Sequence, residues 1–337
     1  MIPFIQKLAR GKHLSLEESQ EAMRAIMEGR ATPAQIGAYL TALSIKGPTP
    51  DEIAGAAMVM REKATRIDVG DLPVVDTCGT GGTGKCTFNI STCAALVAAG
   101  AGVYVAKHGN RGATSRCGSS DVLEALGVNV SAPPAVVARC IREARMGFLF
   151  APLLHGAMKH AAPVRKEIGI RTIFNVLGPL TSPAGARRQV MGVFALPLVQ
   201  TIAEVLRRLG AEHALVVHSE DGLDEVSLSA PTHVCEVRGE TLSCYDLYPE
   251  TLGFLRVGLD ALRVESAQES AAAVRAVLGG EKGPRRDVVL VNASAAIYVG
   301  GIARDMHDGI RRAAAAIDSG EAAKVLASLV AISNGST

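Results

Sequence analysis

The stretch VVDTCGTGGTGKCTFNIST, residues 74–92, decides how the rest of the chain is interpreted. Its first residues form a short apolar run that predicts a β-strand ending at Asp76, and the segment from Asn89 or Ile90 onward predicts a helix. The connection contains four glycines, at positions 79, 81, 82 and 84. Glycine lets backbone N–H groups converge on one point, and a helix N-terminus adds unpaired donors and partial positive charge. The stretch therefore predicts an anion site, and a tight turn without a ligand is the alternative.

Two familiar nucleotide-binding signatures do not fit this loop. In the P-loop pattern a Ser or Thr should follow Gly84 and Lys85, but Cys86 stands there instead. The dinucleotide pattern G-x-G-x-x-G matches Gly79, Gly81 and Gly84. However, no acidic residue that could hold a ribose lies between the loop and the next predicted strand. A sugar phosphate is therefore the favoured ligand.

The composition favours helices packed on a parallel sheet. Of the 337 residues 48% are hydrophobic and only 4% aromatic, with no Trp, so the core consists mainly of Ala, Val, Leu and Ile. A formal net charge of +2 gives no basic field that would indicate nucleic-acid binding.

The sequence also predicts a cytoplasmic protein with reduced thiols. We find no signal peptide and no apolar run long enough to span a membrane. The seven cysteines are odd in number and include no C-x-x-C pair, so neither a disulfide framework nor a structural zinc site is expected.

The first 65 residues predict a small all-helical unit. Three capping boxes mark helix starts, namely Ser15 with Glu18, Thr32 with Gln35, and Thr49 with Glu52. From about residue 70, short Val-rich runs alternate with helical stretches, which predicts βαβ units and a mainly parallel sheet. The predicted strands are LPVVD, VYVAK at 103, GFLFA at 147, VMGVFA at 190, ALVVHS at 214 and DVVLVN at 287. A hairpin is predicted around Arg238-Gly239.

The fold class predicted is thus α/β, with a small all-helical N-terminal domain and a large α/β domain. We place the boundary near residue 70, with a helical domain at 1–70 and an α/β domain at 71–337.

Two further polar segments follow predicted strands. Lys107, His108, Asn110 and Arg111 end the second strand, and Ser119 or Ser120 is the expected N-cap of the next helix. After the strand ALVVHS, an acidic pair follows at positions 224 and 225, which suits Mg²⁺, with a solvated acidic turn as the alternative. The histidines at 108 and 218 are expected to be supporting groups rather than metal ligands, and nothing indicates a covalent nucleophile.

Several long motifs, in order along the chain, resemble the anthranilate phosphoribosyltransferase family. They are GTGG at 79–82, TFNIST at 87–92, KHGNR at 107–111, GSSDVLEALGV at 118–128, RTIFNVLGPLTSPAG at 171–185 and the Asp224-Glu225 pair. The resemblance implies transfer of the phosphoribosyl group of phosphoribosyl pyrophosphate to the amine of anthranilate, in tryptophan biosynthesis. It further implies a homodimer formed through the helical domain, and a segment near 165–185 that returns to that domain.

The resemblance also implies the substrate and metal residues. Those for phosphoribosyl pyrophosphate are Gly79, Gly82, Thr83, Thr87, Asn89, Ile90, Ser91, Thr92, Lys107, His108, Gly109, Asn110, Arg111, Gly112, Ala113, Thr114, Ser115 and Ser119. Those for anthranilate are Gly79, Asn110 and Arg165, the last through the substrate carboxylate. The Mg²⁺ ligands are Ser91, Asp224 and Glu225.

The chain departs from the family pattern after GTGG, where Thr83 replaces the usual Asp. If position 83 acts through its backbone N–H, Thr serves equally well. If the carboxylate matters, its loss weakens binding of phosphoribosyl pyrophosphate or raises the Mg²⁺ requirement. We expect Lys85 to compensate partly by adding positive charge. Cys78 or Cys86 is expected to have raised thiolate character, because a helix N-terminus and a lysine are near, with a role as small apolar core residues as the alternative. Cys93 and Cys117 also lie on or beside the substrate loops.

Two rival functions remain at this point. A pyrimidine nucleoside phosphorylase-like enzyme would share the Gly-rich loop and the strand lysine, but not RTIFNVLGPL or the Asp-Glu pair. A non-catalytic nucleic-acid-binding relative would need a basic stripe near the cleft.

Overall fold

The computed structural model describes residues 1–82, 84–112 and 118–335. The N-terminal region is helical, as predicted, with four helices: α1 (Ile2–Ala9), α2 (Leu16–Met27), α3 (Pro33–Lys46) and α4 (Pro50–Lys63). The three predicted capping boxes are all formed, with Ser15, Thr32 and Thr49 as N-caps. Each cap satisfies two backbone donors that would otherwise be unpaired at the helix start.

A seven-stranded sheet forms the centre of the remaining chain. Its strands are β1 (Val74–Gly79), β2 (Tyr104–Gly109), β3 (Met146–Phe150), β4 (Arg188–Gly192), β5 (His213–Ser219), β6 (Thr232–Arg238) and β7 (Thr241–Leu247). The spatial order is β3-β2-β1-β4-β5-β6-β7. The first five strands are parallel, and the hairpin β6–β7 adds two antiparallel strands at one edge. The predicted fold class, with its mainly parallel sheet, is confirmed. β1 continues three residues beyond Asp76, the strand end predicted from the sequence.

Helices cover both faces of the sheet. They are α5 (Ile90–Gly100), α6 (Ser119–Ala125), α7 (Pro134–Ala144), α8 (Ala151–Leu154), α9 (Ala162–Ile168), α10 (Phe174–Leu177), α11 (Pro197–Arg208), α12 (Ala267–Leu278), α13 (Pro284–Val299), α14 (Met306–Asp318) and α15 (Glu321–Ser333). Short 3₁₀ turns occur at Gly156–His160, Gly178–Leu180, Glu250–Leu252 and Leu259–Leu262. On one face α5 packs against α13, α14 and α15, and on the other face α11 packs against α4. Among the described residues, no helix is both long and apolar enough to cross a membrane.

The prediction of a strand at DVVLVN was wrong, because these residues lie within α13. Val288, Val289, Leu290 and Val291 are all buried, since α13 is covered on every side. A helix buried all round shows a continuous apolar run without a 3.6-residue period, and such a run looks like a parallel strand.

The expectation of reduced thiols is also corrected at one pair, because Cys235 and Cys244 form a disulfide. The predicted hairpin is present, with its turn at Gly239, and its register places Cys235 of β6 opposite Cys244 of β7. The two cysteines are nine residues apart in sequence, so a search for C-x-x-C spacing does not find them.

Candidate active site

The candidate active site lies at the carboxyl ends of β1, β2 and β5. The Gly-rich loop follows β1, the polar run beginning at Lys107 ends β2, and Asp224 and Glu225 follow β5. The strand order reverses beside β1, which pairs with β2 on one side and β4 on the other. Open parallel sheets bind their ligands at such a reversal, outside the carboxyl ends of the strands.

The Gly-rich loop is held by contacts from distant parts of the chain. The Gly81 N–H donates to Asp224 Oδ2 at 2.8 Å, and the Arg171 guanidinium donates to the Gly82 carbonyl oxygen at 2.9 Å. Gly81, Gly82 and Gly84 have φ values of +64°, +79° and +68°. Glycine adopts this left-handed region without steric cost, so the loop conformation depends on these residues.

Helix α5 begins beside this loop, where the sequence predicted a helix start. Asn89 is the N-cap, and its Oδ1 accepts a hydrogen bond from the Thr92 N–H at 3.1 Å. Thr87 precedes it in an isolated bridge to Arg263, and Ile90 is buried in the first turn. Thr92 is fully buried, and its Oγ1 has no hydrogen-bond partner among the described residues. A polar atom left unpaired in the first turn of a helix fits an anionic ligand at that point.

Asp224 and Glu225 form a half-buried acidic pair at the same end of the sheet. Burial raises the pKa of both carboxyls, and for Glu225 burial together with the Asp224 charge raises the pKa to about 8. Adjacent carboxylates with little hydration are stabilised by a cation between or beside them. Within the described ranges no group of three or more His, Cys, Asp or Glu residues could hold a metal. Two carboxylates with a nearby hydroxyl suit Mg²⁺, which keeps several waters.

Two glycines allow Asp224 to lie against the sheet. A Cβ placed on Gly79 would collide with the Asp224 carboxylate, and a Cβ on Gly192 would collide with the Asp224 backbone. These glycines face each other in the register of β1 and β4. Any larger residue at either position would therefore displace the acidic pair.

Lys107 connects the strand ends to the start of α5. Its side chain is 1% exposed, and its Nζ donates to the Thr77 carbonyl oxygen and, at 3.1 Å, to Ser91 Oγ. Burial lowers the pKa of Lys107, and the nearby Asp76 carboxylate opposes this shift. The predicted phosphate residue Lys107 and the predicted metal ligand Ser91 are thus in direct contact.

His108 lies on the opposite face of β2 from Lys107. Its Nδ1 is 3.1 Å from the Gly178 carbonyl oxygen, and its Nε2 is 3.2 Å from Nε2 of His155. Burial lowers the pKa of His108 to about 3 and that of His155 to about 4, so both rings are neutral at pH 7. A neutral ring bonded to a carbonyl through Nδ1 carries its proton there, as expected for a supporting group.

The end of β2 packs closely against α6. A Cβ on Gly109 would collide with Ser119 Oγ, and the Ser119 hydroxyl lies 3.5 Å from the Asn110 carbonyl oxygen. Gly118, rather than Ser119 or Ser120, is the N-cap of α6, because the Asp121 carboxylate accepts its N–H at 2.7 Å. The sequence suggests the two serines because they are strong cap formers, but Gly118 holds the cap position, and Asp121 accepts its N–H from inside the helix.

The Arg111 side chain is bound to α6 rather than to the strand ends. It donates to Asp121 at 2.9 Å and to Glu124 at 2.7 Å, and the Gly112 N–H also donates to Asp121 at 3.1 Å. The predicted ligand positions Thr83, Ala113, Thr114 and Ser115 lie outside the described residues, as does Cys117.

Arg165 lies on α9, and its guanidinium is 5.0 Å from the centre of the Phe174 ring. Burial lowers its pKa, although the side chain stays cationic at pH 7. The segment that carries Arg165 starts at His155 and reaches Gly178, and both of these residues bond to His108. Arg165 therefore lies in the segment 155–178, whose two end residues contact the His108 ring of β2.

Sequence reasoning missed three residues that the structure brings to this site, namely Asp76, His155 and Arg171. The apolar run predicts a strand that ends at Asp76, yet Asp76 is fully buried within β1, and its Oδ1 accepts the His108 N–H at 3.0 Å. A carboxylate inside an apolar strand run was the available signal. His155 and Arg171 make contacts that join segments far apart in sequence, and no local pattern indicates such contacts.

The expected thiolate character of Cys78 is wrong. Burial and the neighbouring Asp76 carboxylate raise the pKa of the Cys78 thiol well above its ordinary value. The charge of Lys107 and the contact with Gln189, with 3.1 Å between Gln189 Nε2 and Cys78 Sγ, lower this pKa by less than burial raises it. Burial also raises the pKa of Cys93, which is fully buried in α5.

Comparison with known proteins places this geometry in a class of transferases. The model for the glycosyl transferase family, a/b domain, matches residues 71–323, and the model for its helical bundle domain matches residues 2–64.

At a finer level, the similar proteins share one name. Anthranilate phosphoribosyltransferase of Symbiobacterium thermophilum is 54% identical over 326 residues, which cover 97% of this chain and 96% of that protein. The crystal structure of the enzyme of that name from Thermus thermophilus is 46% identical, with a TM-score of 0.94 and coverage of 98% of this chain and 99% of that one. The Saccharomyces cerevisiae enzyme in complex with PRPP and Mg is 27% identical, with a TM-score of 0.90 and coverage of 99% and 97%. The chain therefore belongs to the anthranilate phosphoribosyltransferase family.

Proposed function

We propose that the protein transfers the phosphoribosyl group of phosphoribosyl pyrophosphate to the amine of anthranilate. The products are N-(5-phosphoribosyl)anthranilate and pyrophosphate, in tryptophan biosynthesis. One observation carries the proposal: the half-buried pair Asp224 and Glu225 lies against the Gly-rich loop and near the start of α5. Such a site combines anion-binding donors with ligands for a cation, as a metal-bound pyrophosphate requires.

Phosphoribosyl pyrophosphate is placed between the Gly-rich loop, the first turn of α5 and the end of β2. The unpaired Thr92 Oγ1 and the contact between Lys107 and Ser91 support this placement. The described residues proposed to contact it are Gly79, Gly82, Thr87, Asn89, Ile90, Ser91, Thr92, Lys107, His108, Gly109, Asn110, Arg111, Gly112 and Ser119. Arg111 would have to exchange its carboxylate partners on α6 for a phosphate if its side chain takes part.

Mg²⁺ is proposed to bind Asp224, Glu225 and Ser91. The raised pKa of both carboxyls supports a cation there, because a positive charge would return them to the ionised form. When bound, the cation supplies positive charge for the leaving pyrophosphate.

Anthranilate is proposed to lie beside α9, which carries Arg165, with Asn110 and Gly79 also in contact. The Arg165 guanidinium would pair with the substrate carboxylate, for which its planar, bidentate geometry is suited.

The reaction needs placement and charge stabilisation rather than an activated protein nucleophile. An aromatic amine is already nucleophilic, whereas C1 of the ribose develops positive charge as pyrophosphate leaves. Each well-aimed backbone donor on the pyrophosphate contributes about 3 kcal/mol to stabilising the charge that develops. The remaining effect comes from holding the amine next to C1.

The domain organisation proposed is a helical domain at 1–70, joined by a segment near 165–185, and an α/β domain at 71–337. Packing of α9 against α3 supports the return of that segment, as does the hydrogen bond from Ser44 Oγ to the Arg171 carbonyl oxygen at 2.9 Å. We further propose a homodimer through the helical domain, and a cytoplasmic location. Exposed Ile2 and Ile45 support such an interface, and Ile45→Asp should shift sedimentation of the dimer to that of the monomer.

The proposal is tested by incubating the purified protein with anthranilate, phosphoribosyl pyrophosphate and Mg²⁺. Mass spectrometry should detect phosphoribosyl anthranilate, and an equal amount of pyrophosphate should be released. Parallel reactions with a pyrimidine nucleoside and phosphate, and salt-dependent retention on DNA, test the two rivals. Nucleoside cleavage or DNA retention in the absence of the anthranilate product would overturn the proposal.

A further inference from the structure

β1 and β2 separate before their carboxyl ends. They pair at Val74 with Tyr104 and at Val75 with Val105, and no later pair forms among the described residues of either strand. β1 pairs with β4 as far as Gly79, so the strand itself does not end there. The gap opens one residue beyond Val75, at Asp76.

Two side chains occupy the gap in the ladder. If the register of Val75 with Val105 continued, the His108 N–H would donate to the Thr77 carbonyl oxygen. The His108 N–H faces β1, because the Val105 N–H, three residues earlier, donates to the β3 side at Arg145. Instead, the Asp76 carboxylate accepts the His108 N–H at 3.0 Å, and Lys107 Nζ donates to the Thr77 carbonyl. The donor and the acceptor of the missing backbone hydrogen bond are thus each paired with a side chain.

The separation sets the position of residues on both faces of β2. Lys107 reaches through the gap to Thr77 and Ser91, while the His108 ring bonds to Gly178 and His155 on the other face. Closing the ladder would remove the acceptor of Lys107 and shift the His108 backbone toward β1.

We propose that Asp76 is a positioning residue, whose carboxylate holds β1 and β2 apart and thereby fixes Lys107 and His108 for the two substrates. This inference rests on the proposed function, because it assigns those two residues to the substrate site. Asp76 itself is fully buried, so its proposed role is exerted through these two residues and not on a substrate directly.

A purely structural role and a positioning role have different consequences. Removing one partner of a buried pair of opposite charges leaves the other uncompensated and destabilises the fold, so a loss of Tm by itself does not distinguish the two roles. A positioning residue, however, must be needed for activity even where the protein remains folded. Activity and stability should therefore separate at this position.

The experiment compares Asp76→Ala, Asp76→Val and Asp76→Asn with the wild-type protein. Steady-state kinetics with anthranilate, phosphoribosyl pyrophosphate and Mg²⁺ give kcat/KM for each substrate, and circular dichroism gives Tm. In Ala and Val variants, kcat/KM should fall at least about tenfold for both substrates, the size of effect typical of a lost hydrogen bond to a charged group. The Tm of all three variants should fall, because each leaves the buried Lys107 without this carboxylate, so that Asn shares the loss of stability but not the loss of activity. Asn keeps an oxygen acceptor for the His108 N–H, and its kcat/KM should stay within about threefold of wild type.

Glu52→Ala is the matched control, because Glu52 is also a fully buried carboxylate that accepts a backbone N–H, from Leu14 at 2.8 Å, and pairs with a lysine. It should lower Tm and leave kcat/KM unchanged. Wild-type kinetics in both Asp76→Ala and Asp76→Val, or an Asn variant as impaired as Ala, would overturn the inference. A fall in kcat/KM that parallels the fall in Tm across the three Asp76 variants would also overturn it. Absence of turnover by the wild-type protein would instead overturn the proposed function.

Discussion

Replacing Gly79 with Ala should weaken the proposed Mg²⁺ site while leaving the fold intact. An ideal Cβ at position 79 would lie 3.1 Å from Asp224 Cγ and would overlap a carboxylate oxygen. The Asp224 side chain must therefore rotate, and in doing so it loses the 2.8 Å hydrogen bond from the Gly81 N–H. The same rotation moves one proposed metal ligand.

The size of the effect follows from that lost contact. A hydrogen bond to a charged group contributes about 1.5–3 kcal/mol, and each 1.36 kcal/mol corresponds to a factor of ten. The Mg²⁺ concentration at half-maximal rate should therefore rise about tenfold to a hundredfold in Gly79→Ala. Backbone strain adds nothing, because Gly79 does not have a positive φ.

The assay is the initial rate of anthranilate consumption over a range of Mg²⁺ concentrations, together with a thermal melt. Gly258→Ala is the control, because Gly258 has a φ of −64° and no atom within 4 Å of an added Cβ. It should behave as wild type in both measurements. A Gly79→Ala protein with a wild-type Mg²⁺ requirement would refute the placement of Asp224 as a metal ligand.

Three further predictions concern charge and thiol chemistry. Lys85 lies beside Gly222, in the loop before Asp224. Lys85→Ala should therefore raise KM for phosphoribosyl pyrophosphate up to about fivefold without changing KM for anthranilate. An equal KM for phosphoribosyl pyrophosphate in wild type and variant would contradict a role for that charge. Burial of Glu236 is outweighed by hydrogen bonds from His213, Arg238 and Tyr298, so its pKa is lowered to about 2. Because that pKa is below the unfolded value of 4.5, the stabilisation is present above pH 4.5 and is lost as the pH falls toward 2. Glu236→Gln should thus lower Tm at pH 7, by an amount that shrinks over this range; a pH-independent difference would be contrary to it. Finally, Cys78 should react with alkylating reagents more slowly than Cys86, because the pKa of the Cys78 thiol is raised. Mass spectrometry of the native protein after labelling measures both rates, and comparable rates would contradict the raised pKa of Cys78.

The elements with local signals were predictable from the sequence. The three capping boxes of the N-terminal helices need only residues within one turn, and the strand–Gly loop–helix unit needs only one stretch. The hairpin at Gly239 was found for the same reason. DVVLVN failed because burial on every side removes the period that separates a helix from a strand.

The candidate site was predictable where a motif carried it, but not where its contacts are long-range. Asp224 and Glu225 were found as a pair, although the sequence gives no sign that Gly192 must leave room for them. The disulfide of the β6–β7 hairpin depends on register, and Asp76 depends on the separation of two strands. These features exist only once the sheet has formed, so they could not be derived from local patterns.

The central claim is that this cleft joins anthranilate to phosphoribosyl pyrophosphate with the help of Asp224 and Glu225. Its most direct test is the fluorescence of anthranilate, followed while phosphoribosyl pyrophosphate and Mg²⁺ are added to the wild-type protein and to Asp224→Asn. A Mg²⁺-dependent loss of fluorescence with wild type, and a much slower loss with the variant, is the predicted result. Constant fluorescence with wild type at every Mg²⁺ concentration, or equal rates for the two proteins, would contradict the account.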